Sequence, residues 1–92
     1  MIVSFKHKEL KKFFERGDAR KIHPQHIKRL RHILGILNAA THLKDLNFPG
    51  SDLHKLSGNL EGHLSITVKK NWSVTFVFEN GDVSILDYTD YH

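Results

Sequence analysis

Two groups of chemically useful side chains stand out in the C-terminal half of the chain. The first is the His54–Lys55 pair; the second is the C-terminal tail, with Asp87, Tyr88, Asp90, Tyr91 and His92. Metal-free RNA cleavage needs a base for the 2′-hydroxyl, an acid for the leaving 5′-oxygen and cations for the phosphate. Histidine suits both proton-transfer roles because its ordinary pKa of about 6.5 lies near working pH. Together these groups could cleave RNA if the fold brings them close.

Two helical patterns precede these groups. The apolar start at Ile2, Val3 and Phe5 predicts a short strand, followed by a helix that ends at Gly17. Pro24 predicts the first turn of a second helix, where its missing N–H leaves no bond unmade. The apolar stripe of that helix recurs at spacings of three and four, at Ile27, Leu30, Ile33, Leu34, Ile36 and Leu37. The basic side chains fall largely on the other, solvated flank, at Lys28, Arg29, Arg31 and His32.

After the loop at Pro49–Gly50 the apolar period changes to two, which predicts half-buried strands. Residues 52–56 predict a short strand, residues 63–70 and 71–78 two longer ones, and Asn80–Gly81 a hairpin turn into the last. The sequence therefore predicts one α+β domain over residues 1–92. In it, the N-terminal strand and two helices pack on a twisted, mainly antiparallel sheet of about four to five strands.

Composition excludes several classes of protein. A chain of 92 residues has room for one domain, and the absence of cysteine excludes disulfides, thiol nucleophiles and thiolate metal sites. A reducing, cytoplasmic location is predicted on the same ground. The sequence has neither an apolar run of about 18 residues nor a signal-peptide pattern at its start, so membrane insertion and secretion are not expected.

Charge is divided unevenly along the chain. Residues 1–44 contain 11 Lys and Arg against three acids, a net +8, whereas residues 45–92 contain three against seven, a net −4. A basic half on a small domain is typical of proteins that meet a polyanion, although a solvated face is an equal alternative. The cations predicted to contact ribosomal RNA are Lys6, Lys8, Lys11, Lys12 and Arg16.

Long segments of the chain resemble a known family. They are MIVSFKHK at the start, LHKLSGNLEGHLSITVKKNWSVTFVF in the middle, and NGDVSILDYTDYH at the end. In these segments the chain resembles the HigB toxins of the RelE superfamily, from bacterial type II toxin–antitoxin modules. The resemblance implies a RelE-like fold and a ribosome-dependent, metal-independent endoribonuclease that cuts mRNA in the A site by 2′-hydroxyl attack. It implies no cofactor, a HigA-type helix-turn-helix antitoxin, and operator DNA bound through the antitoxin complex.

The resemblance also implies site residues. The catalytic set falls on His54, Asp90, Tyr91 and His92, and the cations expected near RNA phosphate are Lys55, Lys69 and Lys70. His54 and His92 would perform the acid and base steps, in an order that the sequence leaves open. Asp90 would accept a proton or orient a partner, and Tyr91 would position the nucleotide.

The chain departs from the family pattern at two positions that are often basic, where it has Ser57 and Ser73. Loss of cations near the phosphate is expected to weaken transition-state stabilisation and to give a milder toxin. A catalytically impaired homologue, which binds antitoxin with operator DNA or ribosomal RNA without cutting, is therefore the alternative hypothesis.

Three other patterns have simpler interpretations. His23 and His26 could share a helix face, but without a third ligand nearby we interpret them as exposed surface rather than a zinc site. Trp72, Phe76 and Phe78 are interpreted as core, because no RNA-recognition signature accompanies them. A free DNA-binding regulator is disfavoured, since no recognition helix with base-reading residues is evident.

Overall fold

The computed structural model describes residues 1–90, and Tyr91 and His92 lie outside the described residues. Helix α1 spans Lys8–Arg16, and a 3₁₀ turn at Pro24–His26 leads directly into α2, Ile27–Ala39. A second 3₁₀ turn lies at Leu43–Leu46 and a third at Gly58–Leu60. The strands are β1 His54–Lys55, β2 Leu64–Lys69, β3 Trp72–Glu79 and β4 Asp82–Asp90.

Local signals in the sequence explain where these elements begin and end. Gly17 ends α1 in the left-handed conformation at φ 71°, and its N–H donates to the Phe13 carbonyl over 2.9 Å. Pro24 opens the turn before α2, as predicted. Asn80 and Gly81 have φ of 54° and 81°, the conformation that a tight hairpin between β3 and β4 requires.

The four strands form an antiparallel sheet in the order β1-β2-β3-β4. The N-terminal segment pairs in parallel with β4, but only through isolated bridges at Ile2–Val83 and Phe5–Leu86 instead of a regular strand. A kink in β4 accounts for the interruption: Ile85 has φ 54°, and its N–H donates to the Ser4 hydroxyl over 2.9 Å.

Both helices pack on one face of the sheet. Leu10 and Phe13 of α1 and the buried stripe of α2 meet apolar strand residues, among which Ile66, Val74 and Phe76 are fully buried. The prediction that the aromatics of β3 belong to the core is confirmed, with Phe76 buried and the others packed partly buried against it. This packing makes the helices a rigid support for the sheet.

The opposite face, which we call the open face, carries the polar residues of the alternating pattern: Ser65, Thr67, Ser73, Thr75, Asp87 and Thr89. The prediction of strands buried on one side only is wrong for the centre of this face, because Ser65, Ser73 and Thr75 are also buried. Lys6, Leu60, His63 and Ile85 surround Thr75 around a cavity of about 230 Å³. These side chains thus help to shield the short Thr75 side chain from solvent.

Candidate functional site

His54 lies on the edge strand β1, directly opposite Ser65, and is exposed. Residues directly opposite each other on paired strands project to the same face, so His54 shares the open face with Ser65. Its Nδ1 is 2.7 Å from the Asp52 carbonyl oxygen. A carbonyl oxygen can only accept a hydrogen bond, so Nδ1 must be the donor and carry a proton. In the neutral ring, Nε2 then keeps its lone pair. The imidazole therefore presents a proton acceptor to solvent.

Asp52 contacts the histidine ring through both its backbone and its side chain. The backbone of Asp52 is in the left-handed region, with φ 48°. Its carboxylate oxygen Oδ1 lies 3.7 Å from His54 Nδ1. The other carboxylate oxygen, Oδ2, accepts from the Thr67 hydroxyl over 3.3 Å. The sequence alone places Asp52 at the junction of the loop and the predicted strand over residues 52–56, with no role in the site. The signal that could have identified it is an aspartate two residues before a candidate catalytic histidine.

A second polar region surrounds Asp90 at the end of β4. We call it the Asp90 cavity; its volume is about 390 Å³, and its lining residues are Gln25, His26, Lys69, Lys70, Asn71, Trp72 and Asp90. Lys69 and Asp90 are both register partners of Trp72. The fold thus brings together two predicted phosphate-binding cations and a predicted catalytic carboxylate.

His54 lies apart from the Asp90 cavity. β1 and β4 are the two outer strands of the sheet, separated by three strand spacings or roughly 14 Å. The register pairs His54 with Ser65, Ser65 with Thr75 and Thr75 with Asp87, so Asp87 shares the open face with His54. Asp90 is three residues further along β4, and because side chains alternate between faces, its side chain projects to the opposite face. Tyr91 and His92 lie outside the described residues. The predicted approach of the tail to His54 is therefore wrong for Asp90. It stays a prediction for Tyr91 and His92, as do the catalytic roles of all these residues.

The other predicted cations are exposed and lie outside the Asp90 cavity. Lys55 lines a different cavity, of about 430 Å³, with Glu61 and His63. Lys6 lies 4.0 Å from Asp87, and Lys12 forms an ion pair with Glu9 on α1. Exposed ion pairs of this kind contribute little to stability. Lys8, Lys11 and Arg16 are also exposed.

The two serines that replace expected cations occupy different environments. Ser73 is buried on the open face opposite Thr67 and Thr89, whereas Ser57 is exposed in the segment after β1. Ser73 is therefore the one that lies among the hydroxyl groups of the sheet. The expected weakening of activity at these positions stays a prediction.

A buried histidine behind the Asp90 cavity was missed by sequence reasoning. His26 is 1% exposed, so its interpretation as exposed surface is wrong, whereas His23 is exposed. His26 Nδ1 lies 2.6 Å from the Tyr88 hydroxyl, 62 residues away. The Trp72 ring packs against both, with centroids 5.5 Å from His26 and 4.7 Å from Tyr88. The first turn of the second helical segment is thereby joined to the strand that ends in Asp90.

Burial, followed by the nearby charges of His23 and Lys69, lowers the pKa of His26 below its ordinary 6.5. The unfolded chain therefore takes up a proton as pH falls below about 6.5 while the folded chain does not, and stability decreases by up to about 1.4 kcal/mol per pH unit. The loss of stability levels off once the pH is below the pKa of His26 in the folded chain. Urea denaturation from pH 8 to 5 should show this dependence, and His26→Asn should flatten it, since the other histidines are unchanged. Parallel curves for the two proteins would contradict the prediction.

Across residues 1–90, no cluster of three or more His, Asp or Glu could hold a metal ion. Within the same residues, none of the helices has the length and apolar character needed to cross a bilayer.

Solved structures with the same architecture define the class of this fold. The YoeB-YefM complex from Staphylococcus aureus matches with a TM-score of 0.65 at 14% identity, covering 100% of this chain and 95% of the other. A heterotetrameric YoeB-YefM toxin-antitoxin complex from the same organism matches with the same score and coverage at 13% identity. The fold is therefore the RelE-like α+β fold, as predicted.

Sequence comparison gives the family. The protein-family model for the "RelE-like toxin of type II toxin-antitoxin system HigB" matches residues 3–92 of this chain. Endoribonuclease HigB of Proteus vulgaris is 47% identical over 92 residues, with both chains fully covered. Toxin HigB-1 of Vibrio cholerae serotype O1 is 36% identical over 94 residues, covering 100% of this chain and 98% of the relative. The chain belongs to the HigB-like family of RelE-like toxins, and the family predicted from its sequence is confirmed.

Proposed function

We propose that the chain is a ribosome-dependent endoribonuclease that cleaves mRNA in the ribosomal A site and so inhibits translation. Its membership of the toxin family and its 47% identity to a protein named Endoribonuclease HigB support an RNA-cleaving activity. The observation that carries the proposal is the orientation of His54, whose Nδ1 faces the Asp52 carbonyl over 2.7 Å and whose side chain is exposed. This arrangement suits a general base.

In the proposed reaction, His54 Nε2 removes the proton of a 2′-hydroxyl group. The 2′-oxygen attacks the adjacent phosphorus, the bond from phosphorus to the 5′-oxygen breaks, and a cyclic phosphate and a 5′-hydroxyl form. His92 supplies the proton to the leaving oxygen, a role that rests on the family resemblance. Lys69 and Lys70 are exposed beside Asp90 and apart from His54, so in this proposal they bind a neighbouring phosphate of the same RNA strand.

The neutralising partner is an antitoxin. The family belongs to type II toxin–antitoxin systems, and the two solved neighbours are complexes of a toxin with its antitoxin. We propose a HigA-type helix-turn-helix antitoxin that brings the pair to operator DNA, and a cytoplasmic location where ribosomes and mRNA are accessible.

Primer extension on a defined mRNA tests the activity and its dependence on the ribosome. Wild-type protein and a variant lacking His92 are compared on free RNA and on ribosomes with an open A site. We expect cleavage by the wild type only on ribosomes and strong loss on removal of His92, because the leaving oxygen then lacks its acid. Thermal melts and antitoxin pull-downs on both proteins control for folding. Equal cleavage by both would exclude His92 as the acid.

Ser57 and Ser73 motivate a second candidate, a homologue that binds antitoxin or ribosomal RNA without cutting. The same experiment distinguishes the two. If protein that melts cooperatively and binds the antitoxin leaves mRNA intact on ribosomes, the binding function is the correct one.

A further inference from the structure

Arg29 is the cation of α2 that turns inward. Lys28 and Arg31 beside it are exposed, whereas Arg29 is half-buried. Its Nη2 donates to two backbone carbonyls, to Gly50 over 2.6 Å and to Thr67 over 3.1 Å. A cation predicted from periodicity to lie on the solvated flank of the helix therefore connects α2, the loop before β1, and β2.

The geometry of the contact suits arginine specifically. The planar guanidinium has several donors in fixed directions, and it lies 5.7 Å from the centroid of the Phe48 ring as well as bonding the carbonyls. Gly50 has φ 85°, and a Cβ atom built there would lie 3.7 Å from Arg29 Nη2, so the loop passes close to the guanidinium. A lysine ammonium lacks the flat surface and the fork of donors.

The peptide segment that Arg29 binds continues directly into the environment of His54. Ser51, which follows Gly50 and is fully buried, accepts from the Thr67 N–H over 2.9 Å through its carbonyl. Asp52 comes next, and its carbonyl oxygen faces His54 Nδ1. Arg29 thus bonds Thr67 and the residue two positions before Asp52, so a shift of this loop would move the acceptor that orients the imidazole.

We propose that Arg29 is a positioning residue for His54: it fixes the 50–52 loop so that the Asp52 carbonyl holds the imidazole with Nε2 free to accept a proton. The inference rests on the proposed role of His54 as the base. Arg29 needs no contact with substrate in this role, since both carbonyls that it bonds belong to the protein. Its effect should appear in the rate of the chemical step and not in the affinity for ribosomes.

The test compares Arg29→Met and Arg29→Lys with Lys28→Met, a matched control that removes one positive charge from the neighbouring position. Nitrogen-15 NMR of the His54 ring reports which nitrogen carries the proton, and hydrogen exchange of the Thr67 amide reports the integrity of the loop. Single-turnover cleavage at varied ribosome concentration gives the saturating rate and the half-saturating concentration. Thermal melts establish that each variant is folded.

For Arg29→Met we expect a mixture of His54 tautomers, faster exchange at Thr67, and a saturating rate lowered roughly tenfold with little change in half-saturation. Arg29→Lys should fall between the wild type and Arg29→Met, and Lys28→Met should match the wild type. An unchanged tautomer in Arg29→Met would overturn the proposal. So would a raised half-saturating concentration with an unchanged saturating rate, the result expected of an RNA-binding cation.

The two kinds of readout separate this inference from the proposed function. If the wild type does not cleave, or if His54 proves dispensable, the NMR and exchange measurements still decide whether Arg29 orients the ring. If His54 is essential but its tautomer does not depend on Arg29, the proposed function stands and the positioning role is wrong.

Discussion

Replacing His54 with alanine is expected to lower the single-turnover rate of mRNA cleavage on ribosomes by roughly 10²- to 10⁴-fold, because the general base is removed. Stability should change by less than about 0.5 kcal/mol, since the side chain is exposed on a two-residue edge strand. The measurement is single-turnover cleavage with saturating ribosomes, accompanied by urea denaturation of the same preparations.

The variant His54→Asn sharpens this experiment. An asparagine amide can occupy the place of Nδ1 and donate to the Asp52 carbonyl, but it has nothing at the place of Nε2 that could take a proton. We expect it to be as inactive as His54→Ala, which would assign the loss to the missing base. His42→Asn, at an exposed histidine before the second 3₁₀ turn, is the control and should cleave at the wild-type rate. If His54→Asn retained most of the activity, the proposed base would be wrong.

Truncating Phe76 should produce the largest loss of stability. Phe76 is fully buried in the core and pairs with Leu64 across β2 and β3, the two central strands of the sheet. Its replacement by alanine is expected to cost about 3 to 5 kcal/mol. A domain of this size has a free energy of unfolding of roughly 5 to 14 kcal/mol, so the variant would be marginally folded.

Phe78→Ala is the matched control for this substitution, because it removes the same side chain from the same strand at a partly buried position. We expect a smaller loss, of about 1 to 2 kcal/mol. Urea denaturation of the three proteins measures both effects. Equal losses for the two variants would contradict the assignment of Phe76 to the centre of the core.

Much of the fold could be predicted from the sequence because its signals are local. The stop at Gly17, the opening at Pro24 and the turn at Asn80–Gly81 each depend on the conformational preference of one or two residues, and each is found where it was predicted. The apolar periods of the helices and strands also predicted which side chains form the core.

The candidate site was predicted less completely, because its geometry depends on distant partners. The histidine at position 26 was interpreted as surface, since neighbouring residues contain no sign of its bond to Tyr88. Arg29 was placed on the solvated flank by its helical position, yet it binds carbonyls 21 and 38 residues away. Such pairings depend on how α2 crosses the sheet, which periodicity does not specify.

By itself, the sequence determined the RelE-like class, the toxin family, and the residue types available for RNA cleavage, because long matching segments and local preferences are properties of the chain alone. Only the tertiary structure decided that His54 and Asp90 lie on different faces at opposite edges of the sheet, and that the Asp52 carbonyl orients the His54 ring. The physical reason is register: side chains alternate between faces, so the pairing of strands determines which groups share a surface.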